Sequence, residues 1–239
     1  MLGKLFEAIS GKKRFVAADE SDCIMVIGLG SFGTAVAKSL VNLGHQVLAV
    51  DANSERVQNL ADELPHVVQA DTSDPELLKQ LGVLDFSHVV VAIGSDMEAS
   101  VLTTLNLNQL GVRDIWVKAH SDAHGRIVKR LGAHHVIFPE RDMGERVAHL
   151  VTSKMIDFVE FVDGFAIAKT AVPRELYRQT LEQGSVRSRF NITVMGVKRS
   201  NEEFIVAQPD TLLLPNDILI VAGSTTDVEN FAAQAVLSP

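Results

Sequence analysis

The stretch CIMVIGLGSFG, residues 23–33, passes from an apolar segment into the spacing Gly-x-Gly-x-x-Gly. In such a loop the first glycine, Gly28, permits the tight turn that leaves a strand, and the second, Gly30, lets the backbone approach a phosphate closely. The third, Gly33, lets the following helix pack near the strand, and the amides at the start of that helix favour a diphosphate. The spacing alone is equally compatible with a structural turn, so its meaning depends on the surrounding sequence.

The sequence around this loop alternates short apolar, β-branched runs with amphipathic helical patterns. Nearly continuous apolar strands are typical of a parallel sheet that is buried on both faces. The alternation predicts an α/β fold, a Rossmann-like doubly wound parallel sheet in which the strand carboxyl ends form one ligand-binding edge. The predicted strands are residues 23–28, 46–51, 66–70, 88–94, 114–119 and 134–138.

The pattern changes near residue 156, and Asp163 and Gly164 then separate two apolar runs in the manner of a β-hairpin. The rest of the chain predicts a small α+β unit with helices at 175–183 and 227–235 and strands within 191–199, 203–207 and 217–223. The predicted organisation is an N-terminal extension at 1–21, a nucleotide-binding domain at 22–140, a connecting helix at 141–155 and a second domain at 156–239.

Composition restricts the class of protein. The chain has 239 residues, of which 46% are hydrophobic, so it can bury the cores of two domains. Its formal net charge of -8 argues against a nucleic-acid partner, because the phosphate backbone is bound by basic surfaces. A single cysteine excludes an internal disulfide, and no segment has the length and apolarity of a membrane span. We therefore expect a cytoplasmic protein.

Asp51 ends the second predicted strand, about 20 residues downstream of the glycine loop, where a carboxylate can accept hydrogen bonds from ribose hydroxyls. The same carboxylate would repel a 2′-phosphate, so we do not expect NADP as the ligand. The alternative is that Asp51 caps the next helix, a role that Asn53 or Ser54 can fill instead. We favour ribose binding.

Three further strand ends point to the same edge of the sheet. Asp71 and Thr72 follow the third strand, and Asp71 can either flank the adenine or cap the next helix. Lys118 ends the fifth strand, where it can contact a phosphate or simply be a solvated surface lysine. Gly94 can let the backbone pass close to a ribose or form a plain turn. The fourth strand ends in Ala92, Ile93 and Gly94.

The sequence offers no recognisable catalytic group. The only tyrosine, Tyr177, lacks the lysine four residues later that short-chain dehydrogenases use, and the eight histidines form no metal-ligand pattern. The second domain contains no Gly-x-Ser-x-Gly motif. A nucleotide-binding site without recognisable catalytic residues indicates a protein that senses nucleotides and not an enzyme. The alternatives are an NAD-dependent oxidoreductase with an unrecognised catalytic residue and a redox-responsive repressor, although no helix-turn-helix segment is evident.

Four segments carry a family resemblance, namely residues 26–57, 90–105, 115–120 and FPERDMGERVA at 138–148. Together they resemble the cytoplasmic gating subunits of Ktr/Trk potassium uptake systems, the KtrA/TrkA family, which are built from an RCK N-terminal and an RCK C-terminal domain. The resemblance covers roughly residues 22–239. It implies a homo-octameric ring of dimers beneath a membrane potassium-translocating subunit (KtrB/TrkH-like). It also implies that ATP, ADP or NAD(H) binds at the sheet edge and that ATP favours the conducting state.

The resemblance further implies the residues of the site. Glu140 matches a family glutamate that helps to hold a divalent or sodium cation beside the γ-phosphate of ATP, and its structural alternative is an acid favoured by the dipole at a helix N-terminus. The implied nucleotide-binding residues are Gly28, Gly30, Ser31, Phe32, Gly33, Asp51, Ala52, Asn53, Asp71, Thr72, Ala92, Ile93, Gly94, Lys118, His124 and Glu140.

Two positions depart from the family pattern. Many members carry arginine where this chain has Ser31, and that arginine reaches a γ-phosphate in the neighbouring subunit. Discrimination of ATP from ADP therefore requires compensation by Arg141, Lys118 or a metal, or else ADP or NAD(H) is preferred. In the second domain, Arg187 matches a cyclic di-AMP contact of some relatives, but Thr193 replaces their asparagine, so this ligand is not favoured.

Overall fold

The computed structural model describes residues 23–161, 163–200 and 202–235, so the predicted extension at 1–21 lies outside the described residues. The chain divides into two compact units, Met1–Pro139 and Glu140–Pro239. No helix in the described ranges is long and apolar enough to cross a bilayer.

A six-stranded parallel sheet forms the centre of the first unit, with strand order β3-β2-β1-β4-β5-β6. This arrangement confirms the predicted doubly wound sheet. In β1 alternate side chains enter opposite cores, with Met25 and Ile27 in one and Ile24 and Val26 in the other, so the strand must be apolar throughout. The strands are β1 (Cys23–Ile27), β2 (Gln46–Asp51), β3 (Val67–Gln69), β4 (His88–Val91), β5 (Ile115–Lys118) and β6 (His135–Ile137).

Among the described residues, five helices cover the faces of this sheet. They are α1 (Ser31–Asn42), α2 (Ser54–Leu60), α3 (Pro75–Gln80), α4 (Met97–Leu110) and α5 (Asp122–Arg130). Four of them have an N-cap residue whose side chain accepts a hydrogen bond from a backbone amide of the first turn. These N-cap residues are Asn53, Asp74, Asp96 and Ser121. The exception is α1, whose N-cap is Gly30, a residue with no side chain that could accept a hydrogen bond from the first amides.

The glycine loop connects β1 to α1 and is fixed to both neighbouring strands. Gly28 has φ +92°, and its amide donates to the Val50 carbonyl of β2 at 2.7 Å. On the other side, the Ala92 amide donates to the Ile27 carbonyl at 2.7 Å. The left-handed conformation explains why this position requires glycine.

The second unit contains a five-stranded antiparallel sheet with strand order β10-β9-β11-β8-β7 and confirms the predicted small α+β domain. Its core surrounds the fully buried Phe231. The strands are β7 (Met155–Glu160), β8 (Phe165–Ala171), β9 (Thr193–Lys198), β10 (Phe204–Val206) and β11 (Ile218–Ser224). The helices are α6 (Pro139–Thr152), whose first residue belongs to the first unit, α7 (Val186–Phe190) and α8 (Thr225–Gln234).

The predicted helix at 175–183 was wrong. A single 3-10 turn, Arg174–Leu176, is followed by irregular chain whose backbone pairs with a distant segment. The Arg178 amide donates to the Leu213 carbonyl at 2.7 Å, and the Leu213 amide donates to the Gln179 carbonyl at 2.9 Å. Arg178 also has φ +61°, which no α-helix contains. These tertiary hydrogen bonds override the local helical pattern.

The Gly33→Ala variant tests the close approach of α1 to the loop. A Cβ at Gly33 would lie 1.8 Å from the Gly28 carbonyl oxygen, whereas a Cβ at Gly30 would have no atom of the described residues within 4 Å beyond its own chain neighbours. We expect Gly33→Ala to lower the free energy of unfolding by about 1–3 kcal/mol or more, as overpacking does. Gly30→Ala is the matched control and should leave stability unchanged. Equal urea-unfolding midpoints for the two variants would contradict this packing argument.

Candidate functional site

A cavity of about 450 Å³ opens at the carboxyl edge of the parallel sheet, where the glycine loop meets the ends of β2, β3, β4 and β5. Most of the predicted site residues line it, although they come from five separate parts of the sequence. The predicted residues in its wall are Gly28, Gly30, Ser31, Phe32, Asp51, Ala52, Asn53, Asp71, Thr72, Ala92, Ile93, Gly94 and Lys118.

The glycine loop offers the cavity an anion-binding surface. Gly30 has an extended conformation with φ -68°, and no side chain occupies the space beside its α-carbon. The first turn of α1 carries no acidic residue, and its opening amides are not capped by a side chain. A helix N-terminus of this kind favours a phosphate through its free amides and its dipole. Gly33 lies behind the loop, buried against Gly28, and does not line the cavity.

The carboxylate of Asp51 is buried and holds the loop in place. Its Oδ2 atom accepts a hydrogen bond from the Leu29 amide at 2.6 Å, and its Oδ1 atom accepts one from the Asn53 amide at 2.8 Å. Asn53 itself caps α2, with its side chain accepting the Arg56 amide at 3.1 Å. Asp51 is therefore not the helix cap, and its carboxylate faces the cavity at the position expected for a ribose-binding acid.

The loop after β3 brings two polar side chains into the wall. Asp71 accepts hydrogen bonds from the amide and hydroxyl of Ser73, and these bonds lower the pKa of Asp71 below its ordinary value. The cap of α3 is Asp74, so Asp71 is not needed for that role. The Thr72 hydroxyl lies 2.8 Å from the Thr103 hydroxyl of α4, a contact that fixes this loop to the neighbouring helix.

Lys118 brings a positive charge to the far side of the cavity. Its side chain is largely buried, and its Nζ atom lies 5.6 Å from the centre of the Phe32 ring. A Cβ at Gly94 would come within 3.1 Å of that Nζ atom, so the glycine leaves room for the lysine. A buried cation in a solvent-facing cavity is suited to a phosphate.

His124 does not line this cavity. The ring of His124 is fully buried, and its Nδ1 atom lies 3.0 Å from the Nδ1 atom of His120. Glu140 lies in the first turn of α6 and is the first residue of the second unit. Throughout the described residues, no group of three or more His, Cys, Asp or Glu side chains is arranged to hold a metal ion.

Six wall residues were missed by the sequence analysis, namely Ile27, Arg56, Ala70, Ser95, Asp96 and Ala99. The important one is Arg56, because its guanidinium lies 3.3 Å from Asp51 Oδ2. The signal for it was available, since Arg56 lies in the first turn of the helix that follows the ribose-binding acid. Asp96 caps α4, which explains its position but gave no functional signal.

A second cavity of about 330 Å³ lies in the second unit, where Arg187 donates to the Thr193 hydroxyl at 3.2 Å. Both residues line it, together with apolar side chains such as Val186 and Ile192. The structure thus brings Arg187 and Thr193 together in one cavity, and the expectation that cyclic di-AMP is not favoured there stays a prediction.

Comparison with known proteins identifies both units. Residues 24–139 match the TrkA-N domain and residues 172–235 match the TrkA-C domain. The Ktr system potassium uptake protein C of Bacillus subtilis (strain 168) is 38% identical over 207 residues, covering 86% of this chain and 94% of that protein. The Ktr system potassium uptake protein A of Vibrio alginolyticus is 38% identical over 208 residues, with coverage of 86% and 94%.

Solved structures agree in fold. The GsuK RCK domain superimposes with a TM-score of 0.64 at 17% identity, covering 92% of this chain and 50% of that one. The GsuK channel bound to NAD superimposes with a TM-score of 0.64 at 18% identity, with coverage of 98% and 44%. This chain therefore spans about half the length of those channel chains, and the likeness shows an RCK fold.

His124 generates a prediction about acid stability. Burial, and to a smaller extent the charge of neighbouring His120, lowers the pKa of His124 below its ordinary value of 6.5. Because the unfolded chain takes up this proton first, the stability due to the neutral ring is present above pH 6.5 and is lost as pH falls through the folded pKa. We expect the free energy of unfolding to decrease more between pH 7.5 and 5.5 in the wild type than in His124→Gln. Equal decreases in urea-unfolding experiments would contradict this assignment.

Proposed function

This chain belongs to the TrkA-N/TrkA-C family that includes the Ktr potassium uptake proteins, and we propose that it is the nucleotide-binding regulatory subunit of such a system. The observation that carries the proposal is the cavity at the sheet edge. It combines uncapped helix amides, a buried carboxylate and a buried lysine, the groups that recognise a diphosphate, a ribose and a further phosphate.

The proposed ligand is an adenine nucleotide, ATP or ADP, with NAD(H) as an alternative. The phosphates lie on the loop from Gly28 to Ser31, and the ribose lies beside Asp51. Asp71 and Thr72 face the adenosine, and Lys118 faces the distal phosphates. NAD is bound in a GsuK channel structure with the same fold, which supports a nucleotide as the ligand.

Discrimination between ATP and ADP depends on a positive charge near the γ-phosphate. Ser31 cannot supply the charge that arginine supplies in related proteins, so Lys118 or a bound divalent or sodium cation takes that role. A cation near a triphosphate needs an oxygen ligand such as a carboxylate. For Glu140, which belongs to the second unit, this role rests on the family resemblance alone.

The proposed partner is a membrane potassium-translocating subunit, beneath which the chain forms a homo-octameric ring of dimers at the cytoplasmic face. Nucleotides change the angle between paired first domains through α6, and the ring passes this change to the channel subunit. A ligand shifts such an equilibrium only by binding the two shapes unequally, with about 1.4 kcal/mol for each tenfold difference in affinity. The protein thus binds nucleotides without transforming them.

Titration of the purified chain with ATP, ADP and NADH tests the ligand. Gly30→Ala places a methyl group on the cavity wall where a phosphate approaches, and the packing around it predicts a stable protein. We expect the wild type to bind at least one of these nucleotides and Gly30→Ala to bind at least tenfold more weakly, as measured by calorimetry. Unchanged affinity in this stable variant would place the nucleotide elsewhere, and no binding by the wild type would refute the function.

Glu140→Gln tests the cation role. We expect a tenfold preference of the wild type for ATP over ADP in the presence of magnesium or sodium, and we expect this preference to disappear in Glu140→Gln. Glu145→Gln on the same helix is the matched control, since Glu145 is exposed and carries the same charge. Loss of the preference in both variants would indicate a general charge effect.

Native mass measurement and small-angle scattering of the same samples test the ring. An octamer whose scattering differs between ATP and ADP is the expected result. A monomer, or an octamer with identical scattering in both nucleotides, would exclude the gating mechanism.

A further inference from the structure

Arg56 places a guanidinium in the wall of the cavity beside the proposed ribose-binding acid. It lies in the first turn of α2, and its Nη1 atom is 3.3 Å from Asp51 Oδ2. The Asp51 side chain is 7% exposed, whereas that of Arg56 is 47% exposed. The carboxylate is thus fixed, and the guanidinium reaches it from the solvent side.

The hydrogen bonds to Asp51 leave little capacity for a ribose. A carboxylate has about four acceptor sites on two oxygens. Oδ2 already accepts the Leu29 amide and Arg56, and Oδ1 accepts the Asn53 amide. One acceptor site on Oδ1 remains, so Asp51 can accept a hydrogen bond from one ribose hydroxyl, while the position of the other hydroxyl is left to a neighbouring group. Arg56 also offsets part of the negative charge of Asp51, so an anion is repelled less than by an isolated carboxylate, and the single contact with Asp51 leaves other guanidinium N–H donors for a ligand.

Arg56 is not required to stabilise its own helix. The Asn53 side chain already caps α2 by accepting the Arg56 amide, and this bond does not involve the guanidinium. An ion pair with one partner half-exposed contributes little to stability, about 0–1 kcal/mol. A positive charge at this position therefore has capacity left for a ligand.

Arg56 and Lys118 serve different parts of a ligand. Lys118 ends β5 and Asp51 ends β2, with β1 and β4 between them in the sheet. At about 4.8 Å between neighbouring strands, the two strand ends are about 14 Å apart. Lys118 is on the side where the distal phosphates of the proposed ligand lie, and Arg56 is on the side of its adenosine ribose.

We propose that Arg56 is a specificity-determining residue that lets this site bind adenine nucleotides carrying a phosphate monoester on the adenosine ribose. Guanidinium recognises phosphate through paired N–H donors, and an arginine beside the ribose is how dinucleotide-binding folds accommodate a 2′-phosphate. This inference rests on the proposed nucleotide site and revises the expectation, drawn from Asp51 alone, that a ribose phosphate is repelled.

Matched ligand pairs test the proposal by calorimetry. NADH and NADPH differ only in the 2′-phosphate, as do AMP and adenosine 2′,5′-bisphosphate, and adenosine 3′,5′-bisphosphate distinguishes the 3′ position. We expect the wild type to bind the phosphorylated member of a pair at least as tightly as its partner. We expect Arg56→Gln to lower the affinity for the phosphorylated member at least tenfold and to change the affinity for the other member less than threefold.

Two further variants sharpen the result. Arg126→Gln removes one positive charge from an exposed residue of the same unit that is not in the cavity wall, so it should leave every affinity unchanged. Asp51→Asn retains the side-chain size but removes the negative charge, so it should raise the affinity for the phosphorylated member relative to its partner. Thermal unfolding of each variant verifies that it is folded.

The outcomes separate this inference from the proposed function. Tenfold or greater preference of the wild type for NADH and AMP, unchanged in Arg56→Gln, would overturn the role of Arg56 while leaving the nucleotide site intact. If Arg56→Gln lowered the affinity for both members of a pair equally, the role of Arg56 would be limited to its ion pair with Asp51. This result would also overturn the proposal. Failure of the wild type to bind any of these nucleotides, ATP and ADP included, would overturn both.

Discussion

The site depends on the way in which the loop after β1 is tied to its two neighbouring strands. The Gly28 amide bonds to β2, the Ile27 carbonyl bonds to the Ala92 amide after β4, and the Leu29 amide bonds to the Asp51 carboxylate. These bonds fix the turn on both sides, and the close contact of Gly33 with Gly28 brings α1 against it. Because the loop is held by the sheet, the α1 amides face the cavity without a ligand having to organise them, which reduces the cost of binding.

The polar groups of the cavity also have structural roles, so the protein itself uses part of the hydrogen-bonding capacity that the proposed ligand would need. Asp51 fixes the loop and at the same time is paired with Arg56, so its charge and acceptor capacity are partly used by the protein. Thr72 is joined to Thr103 of α4, so a ligand that moves the loop after β3 acts directly on that helix. Such shared contacts provide the physical link that a regulatory nucleotide requires, since a ligand acts only through groups whose arrangement differs between states.

The second unit anchors the helix to which the gating proposal assigns the transmission of movement. On α6, His149 lies 2.6 Å from Glu229 and 3.8 Å from Glu160, and its ring lies 4.6 Å from that of Phe158. Arg146 of the same helix forms an ion pair with Asp157, which lowers the pKa of that carboxyl. The helix is therefore held to the second unit by polar contacts of Arg146 and His149, while Met143, Val147 and Val151 on the same helix are exposed.

The sequence by itself determined the parallel sheet, the glycine loop and Asp51, because a strand buried on both faces and a turn with positive φ each require particular residues at fixed spacing. It also predicted 13 of the residues in the cavity wall. It could not determine the segment after Arg174, where hydrogen bonds to residues near Leu213 replaced the local helical pattern. Only the tertiary structure placed Arg56 on Asp51 and His124 outside the wall, because which side chain reaches a shared cavity depends on helix orientation and not on the order of residues along the chain.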